Sequence, residues 1–420
     1  MADLVHVVSK RNNANHAVCC QHEGPAPGAE VAPLPAMSIR VRSQLISLTS
    51  NNLGYARGGS VPGLNWWDAY PTPQSLPAPF NNSDEWGIVP AWGYGVVTES
   101  TIDAIGPGTL LFGFWPASAH TVVLQLQPSE PPGYWQETSQ HRHRLLAIYN
   151  RYRQVVAEDA QTMAMKTLFL GTAGFLLNHF VFSPHCIHPL GLGAPWSDED
   201  ASLASAVVIS LSASSKTGRS FAWEVARDRD TATQGPMALL QLTSVPESVP
   251  RHPEALLPIK SASYGEIKQG VVDWVAGFQP SRVVIVDFGA AEDVTESLIG
   301  ALADADLGGS VSIIAVGSEA KVYSSAEVLR RMARNKELGK VQLNTGALLN
   351  RALEVETPAI FAHKLDDAWS RCYREGGFGS IEVKMLRGVG GSEGIEGAWS
   401  DLCNRKVAAD VGLVVQLQGV

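Results

Sequence analysis

The sequence predicts an α/β protein of two domains, a β-rich barrel followed by a doubly wound parallel sheet. Three observations carry that prediction. The chain has 420 residues, more than one ordinary core organises. Its first part consists of short apolar strands punctuated by Gly and Pro. From residue 204 onward, apolar runs alternate with amphipathic helical stretches, the signature of parallel βαβ units.

Residues 1–36 are loosely patterned and end in "EGPAPGAEVAPLP". Strand candidates follow in "MSIRVRSQLISL", "GYGVVTES", "TLLFGFWP" and "HTVVLQL". Residues 142–182 are expected to be helical, including "HRLLAIYNRYRQVVAED" and "AMKTLFLGTAGFLLNHFVF". The parallel strands are expected at 204–211, 237–243, 282–288 and 310–316, with helices at 218–228, 264–277, 291–305 and 326–338. After 350, "FGSIEVKMLRG" reads as a strand and "GAWSDLCNRKVA" as a helix. The predicted domains are therefore 1–165 with 351–420 as a closing tail, and 166–350. No internal repeat is visible.

Apolar residues make up 45% and charged residues 17%, as in a globular chain. A net charge of −9, with no basic run, argues against a nucleic-acid surface. No 18-residue apolar stretch occurs, so no membrane span is expected. The N-terminus lacks the apolar core of a signal peptide. The five cysteines have irregular spacing and read as reduced thiols, which points to the cytoplasm. No metal site is expected. His141 and His143 would diverge on a helix, and His185 and His188 read as structural residues of a Pro/Gly-rich loop.

The stretch "VVISLSASSKTGRSFAWEVA" (207–226) has the layout of a strand, a phosphate-cradling turn and a helix. Backbone N–H groups at a helix start attract phosphate whatever the side chains are. Ser212, Ser214, Ser215 and Thr217 add hydroxyl groups, Lys216 adds a cation, and only Gly218 supplies a glycine. The alternative is an ordinary Ser/Thr helix cap. Ser244, at the end of the second parallel strand, stands where an acidic residue would bind the ribose of NAD. A neutral residue there favours NADP, with Lys216 or Arg251 as partners of the 2′-phosphate. Asp287, Phe288 and Gly289 end the third strand and would face the nicotinamide or substrate. Asp287 reads equally well as a helix cap.

The order of these elements resembles the medium-chain dehydrogenase/reductase superfamily, with its GroES-like barrel and Rossmann-like domain. "SNNLGYARGG" (50–59) is similar to a segment of the quinone-oxidoreductase branch, keeping Tyr55, Arg57 and Gly59. "AIGPGTLLFGF" (104–114) resembles that superfamily's barrel-strand entry. A closer resemblance is to a mostly fungal family known only as a domain of unknown function. It rests on "NNLGYA", "WGIVPAWGYGVV", "GFWPAS", "YNRY", "SASSKT" and "VIVDFGA", in that order. The chain departs from the superfamily after the second parallel strand. There "LTSVPESVPRHPEALLPIKS" puts prolines where a helix is expected.

The resemblance implies catalytic roles for Tyr55 and Arg57, with Asp287 as a third candidate. Trp66, Trp86 and Tyr94 are expected to line a flat, apolar substrate pocket, with core packing as the alternative, and Trp92 and Trp115 are expected in the core. The Cys and Gly-His-Glu elements of the superfamily's catalytic zinc are missing from the barrel region, so a zinc-free enzyme is implied. Two activities remain open. One is an NADPH-dependent reductase of an enone or ketone, acting on a polyketide-like small molecule in fungal secondary metabolism. The other is a redox-neutral isomerase, cyclase or lyase on a degenerate reductase scaffold that binds no nucleotide. A non-catalytic accessory role is the third option. The expected partner is a small molecule, and a homodimer is one of the oligomeric states left open.

Overall fold

The computed structural model describes residues 3–21 and 33–417. They form two compact units. The first runs to Leu168 and includes Ala320–Ser324 and the chain from Glu382 onward. The second comprises Phe169–Glu319 and Ser325–Ile381. Residues 351–381, expected in the closing tail of the first domain, thus belong to the second unit. Within the described residues, no helix is long and apolar enough to cross a membrane.

In the first unit, β1 (Leu4–Ser9) pairs antiparallel with β2 (His16–Cys20) and with the short β4 (Trp86–Gly87). The larger sheet contains β3 (Ser38–Leu48), β5 (Pro90–Ser100), β6 (Leu110–Pro116), β7 (Val122–Ser129), β8 (Tyr134–Glu137) and β9 (Arg151–Val155). Their order is β3-β5-β6-β9-β8-β7, and β7 pairs back onto β3. Six strands therefore close into a barrel, which leaves no free edge among them. Val41, Leu45 and Ile46 of "RVRSQLISL" are buried, and the pairing with β5 shifts register between Ser43 and Leu45. Gly113 of "LLFGFW" faces the Tyr152 ring, which would lie 2.3 Å from a Cβ at that position. Only glycine lets the strand pass so close to the ring.

The segment "YNRYRQV", expected to be helical, is a 3-10 turn (Ala147–Asn150) followed by β9. Its side chains alternate: Tyr152 is fully buried, and the guanidiniums of Arg151 and Arg153 lie over the Tyr134 ring. β6 and β8 supply hydrogen-bonding partners on both sides of β9. These pairings outweigh local helix propensity.

In the second unit, β10 (Leu190–Gly193) is an antiparallel edge strand. The parallel strands are β11 (Ala206–Leu211), β12 (Ala238–Thr243), β13 (Ile259–Ser263), β14 (Arg282–Asp287), β15 (Val311–Ala315) and β16 (Lys340–Leu343). Leaving β10 aside, the order is β13-β12-β11-β14-β15-β16. The helices Lys216–Arg227, Glu292–Asp304 and Ser325–Glu337 fall where the sequence predicts them. The predicted 264–277 helix is broken, because Gly270 turns to φ +86 and regular helix begins only at Val272. Between β12 and β13 there is one 3-10 turn, Pro246–Ser248. This agrees with the proline-rich departure seen in the sequence. The tail then returns to the first unit. β17 (Glu382–Arg387) pairs with β18 (Val411–Gln416), and β18 adds antiparallel to β3.

His179, in the π-helical turn Leu177–Val181, has its Nε2 3.1 Å from Glu224 and 3.3 Å from Asp228. Asp228 also binds Arg371 at 2.9 Å. Burial alone would lower the His179 pKa. The hydrogen bonds and charges of Asp228 and Glu224 overcome that and raise it to about 9. A folded-state pKa above the unfolded value stabilises below the unfolded value, about 6.5. That contribution, on the order of 2–3 kcal/mol, is lost as pH rises through about 9. Urea titrations of wild type should therefore show falling stability between pH 6.5 and 9. His179→Gln should flatten that slope, and an unchanged slope in the variant would assign the titration to another group.

Candidate functional site

The parallel sheet reverses its order between β11 and β14. From β11 the chain moves outward to β12 and β13, then crosses back to β14 and moves the other way. The connections leaving β11 and β14 diverge, so a crevice opens at their carboxyl ends, the usual ligand position in open α/β sheets. Here the crevice holds residues 212–218 and 287–289.

Ser212 takes φ +61, a conformation usually left to glycine. Its carbonyl accepts the Ser215 N–H at 3.0 Å, closing a tight turn. Ser215 then caps the helix Lys216–Arg227, its hydroxyl accepting the Gly218 N–H at 3.0 Å. A Cβ at Gly218 would lie 3.0 Å from both the Ala213 carbonyl oxygen and the Ser215 hydroxyl. Gly218 thus has the role of a glycine that lets a helix pack tightly on its loop. Lys216 and Thr217 occupy the first helical turn and are half-buried. Ser214 differs from expectation. It is buried, and its hydroxyl accepts the Thr243 hydroxyl proton at 2.7 Å, so it ties the loop to β12 and points away from solvent. Ser244, the next residue, is exposed at the end of β12.

Three residues that the sequence analysis missed complete this crevice. Arg219 is wholly buried, donating to the carbonyls of Ser214 at 2.9 Å and Phe378 at 2.8 Å and to the Ser248 hydroxyl at 3.2 Å. It joins the phosphate-type loop to the turn after β12. The Tyr264 hydroxyl faces Ser212 and Thr243; burial raises its pKa, and hydrogen bonds from those two residues oppose the rise. Lys340 is the third. Its Nζ lies 2.8 Å from Asp287 Oδ2, and both side chains are buried.

This contact revises the view of Asp287. Its Oδ1 accepts the N–H groups of Gly289 and Ala290, both at 2.9 Å, and its Oδ2 is held by Lys340. Both oxygens build the turn after β14; the helix that follows, Glu292–Asp304, has Ala291 as its N-cap with no side-chain bond, so Asp287 does not cap it. Phe288 is turned inward against Phe221, with ring centroids 5.6 Å apart. Gly289 takes φ +120, and a Cβ there would lie 2.7 Å from the Ser318 carbonyl. A Cβ at Gly317 would lie 2.4 Å from the Phe288 carbonyl. The two turns therefore cross backbone to backbone.

The first unit contains a separate aromatic cluster. Tyr55 lies on the helix Ser50–Gly58, which is capped by Thr49 and held to β5 by Asn52 Nδ2 donating to the Pro90 carbonyl at 2.8 Å. Tyr55 is buried, its hydroxyl accepts the Trp92 Nε1–H at 3.0 Å, and it also bonds with the Tyr149 hydroxyl. Burial pushes its pKa up to about 12. Trp66 and Phe114 present ring edges at 4.9 and 5.0 Å. Arg57 stacks its guanidinium on Tyr323 at 4.9 Å. Of the three predicted pocket residues, only Trp66 joins Tyr55. Trp86 packs on Phe80, and Tyr94 is buried against Phe112. Trp115 is core as expected, whereas Trp92 is half-buried and bonded to Tyr55.

Arg142 sets the position of Tyr149. This wholly buried guanidinium donates to the Tyr149 carbonyl at 2.9 Å, the Asn150 side chain at 3.0 Å and the Tyr152 hydroxyl at 2.9 Å. Glu137, equally buried, lies 3.6 Å away.

The family model described as "Protein of unknown function (DUF2855)" matches residues 46–408, and the chain belongs to that family. No curated protein matches it by sequence. Its fold is similar to that of many solved structures, two of which show the likeness. CurA of Vibrio vulnificus, determined with NADPH, is 9% identical with a TM-score of 0.54, covering 99% of this chain and 100% of its own. A mutant enoyl thioester reductase of Candida tropicalis is 9% identical with a TM-score of 0.52, at the same coverage. These likenesses establish the fold, a GroES-like barrel and a Rossmann-like sheet.

Arg142→Met should cost about 3–5 kcal/mol, because it strands the Glu137 charge in the interior. Adding Glu137→Gln should recover part of that loss in urea titrations. A neutral Arg142→Met would show that the guanidinium does not hold the 139–150 segment.

Proposed function

We propose, for this member of the DUF2855 family, an NADPH-dependent reduction of an enone or ketone without catalytic zinc, on a polyketide-like small molecule. The carrying observation is the helix start at 212–218, which lies at the reversal point of the β13-β12-β11-β14-β15-β16 sheet. Two fold relatives support the choice of cofactor. CurA was determined with NADPH and the enoyl thioester reductase Etr1p with NADP and crotonyl-CoA, at TM-scores of 0.54 and 0.52.

The residues fit a dinucleotide. Gly218 and the Gly289–Gly317 crossing keep the crevice free of Cβ atoms where backbone approaches backbone. The first-turn N–H groups and Lys216 would bind the pyrophosphate, with Ser212, Ser215 and Thr217 beside them. Exposed Ser244 would leave room for a 2′-phosphate. Phe288 and Gly289 would support the nicotinamide end through backbone and packing. When bound, the cofactor supplies hydride.

Tyr55 would supply the proton. Its oxygen accepts the Trp92 Nε1–H, which leaves its own O–H able to donate, and burial keeps it protonated at neutral pH. The surrounding aromatic rings suit a flat, conjugated substrate. Arg57 would orient an oxygen-bearing group.

A redox-neutral isomerase, cyclase or lyase is the second reading. The inward-turned Ser214 and the helix-free link between β12 and β13 favour it. Titration of the purified protein with NADPH separates the two. Saturable binding supports the reductase, and its absence supports the redox-neutral enzyme. Where wild type binds, Lys216→Ala should lose about 1.5–3 kcal/mol, a tenfold to hundredfold rise in Kd. An unchanged Kd would remove Lys216 from the phosphate site.

Tyr55→Phe should lower turnover by roughly two to three orders of magnitude while NADPH affinity stays the same. Stability should fall by about 1–2 kcal/mol, since Trp92 and Tyr149 each lose a partner. Full turnover with only the stability loss would make Tyr55 a packing residue.

A further inference from the structure

In the second unit, Cys186 and His188 lie on the loop that leads into β10, and Asp198 lies just beyond that strand. The loop was read from sequence as structural. The fold brings three donor atoms together there. Cys186 Sγ is 3.3 Å from Asp198 Oδ1, and His188 Nε2 is 3.2 Å from the same oxygen. All three ligand atoms lie within 4.8 Å of one another. Cys186 is in no disulfide. Asp198 is 88% exposed and His188 47%, so an ion reaches the site directly from solvent.

We infer that Cys186, His188 and Asp198 form a zinc-binding site, with water in the fourth position. With Zn–S near 2.3 Å and Zn–N and Zn–O near 2.0–2.2 Å, tetrahedral donors are separated by roughly 3.3–3.6 Å. The observed 3.2 and 3.3 Å separations need only a small opening to admit the ion. A thiolate, an imidazole and a carboxylate are zinc's donor set, and the sulfur disfavours magnesium and calcium. On binding, the Cys186 thiol proton passes to solvent and the S–Zn bond replaces S–H. Thiolate and carboxylate then balance the two positive charges of the ion. The bound ion clips the two ends of the 186–198 excursion around the edge strand. The site is independent of the proposed reductase chemistry, for which no zinc is invoked.

The test uses untagged full-length protein, stripped with chelator and titrated with zinc alone. One high-affinity zinc per chain is expected, with a concentration-dependent rise in Tm. Cobalt in place of zinc should give a thiolate charge-transfer absorption in the near ultraviolet. Cys186→Ser should abolish that band, and Cys186→Ser, His188→Ala and Asp198→Asn should each weaken zinc binding at least tenfold. These side chains lie at the surface, and circular dichroism with a cooperative urea transition checks that each variant is folded. Absence of zinc binding by wild type, or full binding by folded Cys186→Ser, would overturn the assignment. Reductase activity has no part in these readouts.

Discussion

A guanidinium taken out of water must find acceptors for five N–H groups, and each unit is organised around one such group. In the barrel it is Arg142, in the parallel-sheet unit Arg219, and both are wholly buried. Their acceptors come largely from loops. Arg142 gathers the Tyr149 carbonyl and the side chains of Asn150 and Tyr152. Arg219 gathers the carbonyls of Ser214 and Phe378 and the hydroxyl of Ser248. Loops have little core of their own to order them, and satisfying a buried cation is a strong directional requirement. Tyr149, and through it Tyr55, takes its place from the first requirement, and residues 212–218 from the second.

The phosphate-type loop shows how such a turn forms with a single glycine. Ser212 accepts the left-handed conformation and Ser215 caps the helix. Ser214 exchanges a solvent-facing role for a bond to Thr243. The one glycine kept, Gly218, is where a side chain would press on the Ala213 carbonyl. What remains toward solvent is a helix start with a cation and hydroxyls. That arrangement attracts an anion through backbone dipoles, and it does so without the close backbone approach that a run of glycines permits.

Buried charge recurs elsewhere in the second unit. Lys340 and Asp287 lock the turn after β14, and His179 bridges two carboxylates between helical segments. Each pair is formed by residues far apart in sequence. A titratable residue at the end of an apolar strand can be a catalyst or a cap. The partner that holds Asp287 in its turn, Lys340, lies 53 positions away.

The sequence alone determined the architecture. Short apolar runs punctuated by Gly and Pro marked most barrel strands, β-branched runs followed by amphipathic stretches marked the parallel sheet, and prolines marked the missing helix after β12. These are local signals, set by which face of a strand or helix must leave water. The sequence also picked out Tyr55 and residues 212–218, through local motifs. Tertiary structure decided what local signals do not contain. "YNRYRQV" became a strand because two neighbours offered it hydrogen bonds. Trp92 moved from core to hydrogen-bond donor, Ser214 turned inward, and Arg142, Arg219 and Tyr264 took positions that no spacing announces. Direction and partnership of a polar side chain depend on which distant groups the fold brings within about 3 Å, and that is a property of the assembled chain.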